Sequence, residues 1–325
     1  MYSVAEIRER VEESIANIKL PDDPSELYAP VAYMLSIGGK RIRPMLCLMS
    51  YNLFTDCMED KALYSALGLE IFHSFTLLHD DIMDNSPLRR NQATVHNKWG
   101  IRTAILSGDV MCIAAYKYMC RTDISYQTEI INLFNRTAMQ VCEGQQYDMT
   151  YEDHLAISEA EYLQMINLKT AVLIAASAKI GAVIAGAPVV DADKMYRFGQ
   201  DLGMAFQIQD DLLDVYGDVD VFGKNIGLDI LNNKKTYLLV TALRQAKGED
   251  KNRLHTLLKT KDIAPEKKIE DVLEIYHHLK IRRQAEECIS GYFDRALVSL
   301  DEVDAVSERK IYLQELAHGL LRRDK

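Results

Sequence analysis

Apolar residues recur at three-to-four spacing along nearly the whole chain and strand-like alternation is scarce, so the sequence predicts a mostly or wholly helical protein. Residues 1–20 mix acids and bases on a 3.6 period and predict an amphipathic helix. The loop Pro21-Asp22-Asp23-Pro24 leads to a second helix from about Ser25 to Ile37. After Gly38-Gly39-Lys40-Arg41-Ile42-Arg43-Pro44 an apolar helix runs to about Phe54, with Pro44 suited to its first position. A long helix begins near Lys61 and is stopped by Asn85, Ser86 and Pro87. Others start around Ile105, contain the polar run Glu143–Asp148, and end in AFQIQDDLLDVYG against Gly217. Lys169-Thr170 opens an Ala-rich run, Ala171–Val190, that is long and apolar enough to weigh as a membrane span. Its Lys179, Gly181, Gly186 and Pro188 favour a buried, close-packed helix instead, so no membrane span is expected. From about Leu238 helical patterns recur, broken between Thr260 and Lys268.

Composition narrows this picture. With 325 residues, 48% of them apolar, the chain can bury a large core, and with no evident linker residues 1–325 are expected to form one domain. A formal charge of −10 argues against a general nucleic-acid or anionic-membrane surface, so an anionic substrate would have to be met by metals and local basic clusters. The six cysteines (47, 57, 112, 120, 142 and 288) show no CxxC or zinc spacing and predict reduced core thiols in a cytoplasmic protein. The N-terminus fits neither a signal nor a transit peptide.

Chemistry enters at the helix ends. Asp80 and Asp84 stand four apart and stack on one helix face, with Asp81 about a quarter-turn round. They occupy the last turn, where the macrodipole is already negative and each such charge costs about 0.3–1 kcal/mol. Asp210, Asp211 and Asp214 repeat the arrangement before Gly217. Two apolar helices that both finish in the wrong charge imply a strongly cationic occupant, and hard oxygen donors suit Mg²⁺ completed by phosphate oxygens. Basic loops follow both ends: Arg89 and Arg90 after the first, Lys224, Lys234 and Lys235 after the second. Such forks suit a diphosphate, with internal salt bridges as the alternative. The Gly38–Pro44 loop reads equally as an anion site or as an ordinary basic helix start. His73 lies two turns below Asp80, where a histidine is more often a satisfied core residue than a ligand. The charged ends above apolar, aromatic helices suit an amphiphile with a diphosphate head and a hydrocarbon tail.

The ordered set GGKRIRP, DDIMD followed by LRR, EGQQYD, LKT, FQIQDDLLD, GKN and KKT, running from Gly38 to about Thr236, resembles the trans-prenyl diphosphate synthases (polyprenyl synthetases). The resemblance implies an all-α, isoprenoid-synthase-type bundle around a deep central cavity, usually as a homodimer. It implies that Asp80, Asp81 and Asp84, with Asp210, Asp211 and Asp214, hold three Mg²⁺ (Mn²⁺ as a substitute) on an allylic diphosphate. Asp210 would be the foremost ligand of the second set. Arg89, Lys169, Lys224 and Lys234 match residues that grip or cover that diphosphate. Lys40, Arg43, His73 and Arg90 match the pocket for isopentenyl diphosphate, and Thr170 and Gln207 match groups facing the allylic cation. The implied reaction is head-to-tail condensation, with released pyrophosphate taking the proton. Phe75 and Thr76, five and four residues before Asp80, match chain-length positions, and a single aromatic there resembles geranylgeranyl synthases, with farnesyl synthases next. A class I terpene cyclase or head-to-head prenyl coupler, and a non-catalytic helical subunit, are the alternatives. The second DDxxD and the Gly-Gly-Lys-Arg loop count against the former, and the completeness of both acidic motifs against the latter.

Overall fold

The computed structural model describes residues 2–57, 60–217, 227–260 and 263–321. These fall into two compact units, each assembled from separated stretches of chain. The first comprises residues 1–135, 176–196 and 302–315, and the second 136–175, 197–301 and 316–325.

In the first unit, α1 (Val4–Ala16) is started by a capping box in which Ser3 and Glu6 satisfy each other's backbone amides, and it buries Ile7, Val11 and Ile15. Helix α2 (Ser25–Ser36) leads into the glycine loop, and α3 (Ile42–Phe54) is buried from Ile42 through Leu53. Pro44 is the third residue of α3 rather than the first. Helix α4 (Asp60–Met83) carries the first acidic motif on its last turns.

The chain then makes a small hairpin that the helical periodicity does not reveal, β1 (Leu88–Arg89) against β2 (Gln92–Ala93). Its two-residue turn, Arg90-Asn91, has both residues at positive φ, 51° and 62°, as a tight hairpin turn requires. Helices α5 (Val95–Trp99) and α6 (Ile101–Met119) follow, α6 starting four residues earlier than the sequence suggests. Helix α7 (Ile124–Glu152) begins in the first unit and ends in the second.

In the second unit, α8 (Glu159–Ile166) starts from a second capping box at Ser158. It passes through a π-helical turn, Asn167–Ala171, into α9 (Val172–Ile184). Lys169 and Thr170 therefore interrupt a continuous helix instead of opening one. Helix α10 (Val189–Tyr216) carries the second acidic motif. The remaining helices are α11 (Leu228–Leu231), α12 (Tyr237–Gln245), α13 (Gly248–Lys259), α14 (Pro265–His278), α15 (Ile281–Asp301) and α16 (Ser307–Leu321). Tyr162, Ile208, Leu238, Leu254, Ile275 and Ala285 lie in this unit's apolar core.

Among the described residues only Glu159–Ile184 is long and apolar enough to cross a membrane, and 72% of its apolar window is buried inside the protein. All six cysteines are free, but only Cys47 is buried; Cys57, Cys120 and Cys142 are exposed, which corrects the expectation of core thiols.

Candidate active site

The first unit gathers acids at one helix end and cations on the loops around it. At the end of α4 the Asp84 amide donates to the Asp80 carbonyl (2.8 Å), and the Ser86 amide donates to the Asp81 carbonyl (2.9 Å), closing the helix. Asp81 is 2% exposed, and its carboxylate is gripped by Arg89, whose Nε donates to Oδ1 at 2.9 Å and Oδ2 at 2.8 Å. Burial raises the Asp81 pKa while the guanidinium opposes the shift. Arg89 also reaches Asp80 (3.5 Å). The internal salt bridge that the sequence left as an alternative is thus formed. Asp80 and Asp84, one turn apart, remain at partly and fully exposed positions.

Arg90, at the hairpin turn, lies over the glycine loop: a Cβ on Gly39 would come within 2.9 Å of its guanidinium carbon, so only glycine admits this approach. Arg43 is buried and Lys40 exposed. His73 faces this group. Its pKa is held well below the usual histidine value, first by burial and then by the charges of Arg43, Arg90, Arg89 and Arg41. The structure therefore brings together Arg43, His73 and Arg90, with Lys40 on the same loop.

Below them Phe75 packs against Phe72 (ring centroids 5.5 Å apart) and His79 (4.8 Å), and Phe72 packs on Phe134 (5.1 Å). The Thr76 hydroxyl donates back to the His73 carbonyl (2.8 Å).

The second unit holds the other motifs. Lys169 Nζ donates to Asp148 Oδ2 at 2.5 Å, and the Thr170 hydroxyl donates to Gln207 Oε1 at 2.9 Å. The Lys169 cation and the Thr170 hydroxyl both sit on the π turn, the kind of helix irregularity that functional sites favour. The turn is pinned to α10 by Gln200, which donates to Asn167 Oδ1 (2.8 Å), and it approaches α7 at Gly144. Asp211 is 4% exposed and wholly engaged inside: Tyr162 Oη (2.5 Å) and the Tyr237 amide (2.8 Å) donate to Oδ2, and Gln207 Nε2 (3.2 Å) to Oδ1. Burial, with Asp229 nearby, pushes its pKa up to about 7. Asp210 and Asp214 occupy partly exposed positions, and Asp214 Oδ2 accepts from the Asp229 amide (3.0 Å) at the start of α11. Lys234 stands 3.9 Å from Asp229. Lys224 lies outside the described residues.

Both acidic ends thus share one design: the second aspartate is consumed inside the protein, while the first and last are one turn apart and more exposed. Among the described residues no three acidic, cysteine or histidine groups form a ready-made cation cage. Two hard carboxylate donors one turn apart nonetheless fit Mg²⁺, which keeps few protein ligands and completes its octahedron with phosphate oxygens and water. Sequence reasoning missed Asp148 as the partner of Lys169, Tyr162 and Tyr237 as the grip on Asp211, and the inward turn of Arg41. A buried lysine's need for a counter-charge was the one signal that could have found Asp148.

Comparison with known proteins identifies the family. The family model described as "Polyprenyl synthetase" matches residues 24–276. A short chain isoprenyl diphosphate synthase of Methanothermobacter thermautotrophicus is 36% identical over 94% of this chain and 89% of its own length. A geranylgeranyl diphosphate synthase of Sulfolobus acidocaldarius is 36% identical over 93% and 92%. A crystal structure of a geranylgeranyl pyrophosphate synthase superposes with a TM-score of 0.94 at 36% identity, covering 100% of both chains.

Proposed function

The chain belongs to the polyprenyl synthetase family, and we propose that it is a short-chain trans-prenyl diphosphate synthase condensing isopentenyl diphosphate head-to-tail with an allylic diphosphate. The observation that carries this reading is the pair of partly exposed Asp80 and exposed Asp84 on the same unit as the cluster of Arg43, His73 and Arg90. One is built for a metal–diphosphate complex, the other for a metal-free diphosphate.

Asp80 and Asp84, and Asp210 and Asp214, would hold the Mg²⁺ ions that the family resemblance implies, three in number. Bound there, Mg²⁺ would supply charge neutralisation for the departing diphosphate. Asp81 and Asp211 act from behind, Asp81 as the seat of Arg89 and Asp211 as the fixed point of its helix end. Lys169, Lys234, Lys224 and Arg89 hold or cover the allylic diphosphate oxygens. Cleavage of the allylic C–O bond leaves its electron pair on the diphosphate and a cation on the chain. The Thr170 hydroxyl and the Gln207 amide oxygen present their dipoles to that cation.

Lys40, Arg43, His73 and Arg90 hold isopentenyl diphosphate so that its double bond attacks the cation. A new carbon–carbon bond forms, and a proton leaves the adjacent carbon for the released pyrophosphate. A neutral His73 donates one hydrogen bond without adding a fifth charge to the arginines. Phe75, packed at a tilt against Phe72, supports a floor that limits the product to about twenty carbons, or about fifteen if its neighbours narrow it further.

The exposed apolar side chains of α6, Ile101, Ile105, Leu106 and Ile113, support a homodimer. Free exposed thiols at Cys57, Cys120 and Cys142 suit a reducing cytoplasm.

The test is incubation with Mg²⁺, isopentenyl diphosphate and each of dimethylallyl, geranyl and farnesyl diphosphates. Condensation with at least one primer, ending mainly at twenty carbons, is expected. The absence of condensation with all three would sink the proposal.

A further inference from the structure

The basic loop Gly38–Pro44 contains three cations, and one of them turns away from the other two. Arg41 is 5% exposed, and its guanidinium is spent on the interior. Nη1 donates to Glu70 Oε1 of α4 at 2.7 Å, Nε donates to both carboxylate oxygens of Glu12 of α1 (3.2 and 3.3 Å), and Nη2 donates to the Leu35 carbonyl at 3.0 Å. Glu70 is itself 4% exposed. One planar fork therefore ties α1, the end of α2 and the middle of α4 to a single residue, which lysine's point charge could not do.

The backbone at Arg41 is as unusual as its side chain. Arg41 is the residue before α3 and sits in the left-handed region (φ 50°, ψ 35°), following Gly38 and Gly39 at φ 80° and 151°. A bulky residue in that region is strained and persists only where its surroundings hold it. The Glu12–Arg41–Glu70 bracket is that support. The left-handed turn sends the chain so that Lys40 stays exposed while Arg43 is buried among the groups that depress the His73 pKa.

From this we infer that Arg41 is a positioning residue for the isopentenyl diphosphate pocket, and that Glu12 makes the N-terminal helix part of that pocket's support. The inference rests on the reading of Lys40, Arg43, His73 and Arg90 as the pocket. Helix α1 precedes residues 24–276, which the family model matches, so this support is added from outside the matched region. The bracket also balances charge. Glu70 and Glu12 pair with Arg41, so the charge it adds beside His73 is partly offset where the diphosphate meets Lys40, Arg43 and Arg90.

The experiment measures KM for each substrate separately, with melting temperatures alongside, in Arg41→Lys, Glu70→Gln and Glu12→Gln. Glu12 is half-exposed, so its variant keeps the test alive if the buried ones fail to fold. Arg41→Lys and Glu70→Gln should raise KM for isopentenyl diphosphate about tenfold, and Glu12→Gln two- to threefold, with KM for the allylic substrate within twofold of wild type. Unchanged KM for isopentenyl diphosphate in Glu12→Gln and in whichever buried variants fold overturns the inference. So does an equal rise in both KM values, which would mark general loosening. Lys40→Gln and Arg43→Gln separate this from the reading beneath it. If they raise KM for isopentenyl diphosphate and the bracket variants do not, the bracket alone is wrong. If they leave it unchanged, the pocket assignment falls with it.

Discussion

Replacing Gly144 with alanine probes the link between helix packing and chemistry most directly, because the perturbation is a single uncharged methyl group that meets only backbone. A Cβ at this position would lie 2.7 Å from the Leu168 carbonyl carbon and from Lys169 Cα, and closer still to the Lys169 amide nitrogen. Ordinary contact begins near 3.4 Å, so the shortfall is at least 0.7 Å. Every one of these neighbours is backbone in the π turn and cannot rotate away. Helix α7 and the turn must therefore separate by most of an ångström, at an overpacking cost of about 1–3 kcal/mol. For a chain of this size that lowers Tm by roughly 2–4 °C per kcal/mol at most.

The same movement carries Lys169 and Thr170 with it, and it stretches the Lys169–Asp148 ion pair, whose acidic member lies one turn along α7 from Gly144. Misplacement of a substrate-holding group by about 1 Å can cost on the order of 100-fold in rate, or about 2.7 kcal/mol of barrier. Gly144→Ala is thus expected to lower kcat/KM for the allylic substrate by about 100-fold while KM for isopentenyl diphosphate stays within about twofold. Steady-state kinetics with each substrate varied in turn, on protein shown folded by its melting curve, makes the measurement. A lowered Tm with unchanged kcat/KM in the folded fraction would refute the coupling of this contact to Lys169.

Three further outcomes follow from single contacts. Phe75→Ala removes the ring packed between Phe72 and His79 and should lengthen products by at least one isoprene unit on chromatography; an unchanged product distribution would put the floor elsewhere. Tyr162→Phe deletes the hydroxyl that donates to buried Asp211 and should cost about 1–3 kcal/mol in urea unfolding; an unmoved midpoint would show that the Tyr237 amide suffices alone. His73 has a folded pKa well below its unfolded value of about 6.5, so the unfolded chain binds more protons in the window beneath that value. Its contribution is full above about pH 6.5 and is lost as pH falls through the window. The Tm advantage of wild type over His73→Gln should therefore shrink between pH 7.5 and 5, and a pH-independent difference would contradict the assignment.

Much of this was legible in the chain because the relevant patterns are short-range. Helical periodicity, the stop at Asn85–Pro87 and the i, i+4 spacing of Asp80 and Asp84 all follow from neighbouring residues. The hairpin at Leu88–Ala93 was hidden because two-residue strands carry no periodicity, and Arg90-Asn91 supplies positive φ without the glycine that signals such turns. The π turn was hidden for a related reason. It inserts one residue into a continuous helix, so Lys169-Thr170 looked like a helix start when α8 had begun ten residues earlier. Cysteines in apolar runs looked buried, but Cys120 ends α6 and Cys142 is on an exposed face of α7.

Long-range partners were the least legible of all, and they decide what each carboxylate can do. In DDIMD and DDLLD the sequence offers three aspartates of apparently equal standing. Burial divides them. Asp81 is covered and occupied by Arg89, from a hairpin eight residues on; Asp211 is covered and occupied by Tyr162, 49 residues back, and by the amide of Tyr237, 26 residues on. A carboxylate whose oxygens already accept two or three interior hydrogen bonds gains little from a cation and would lose those bonds in reaching for one. The remaining pairs, Asp80 with Asp84 and Asp210 with Asp214, are less buried, and their printed contacts lie at the surface end of each helix: Arg89 reaches Asp80 at 3.5 Å and the Asp229 amide donates to Asp214 at 3.0 Å. The middle residue of each motif is best understood as the rivet that lets its two neighbours stay where helix electrostatics would otherwise disfavour them.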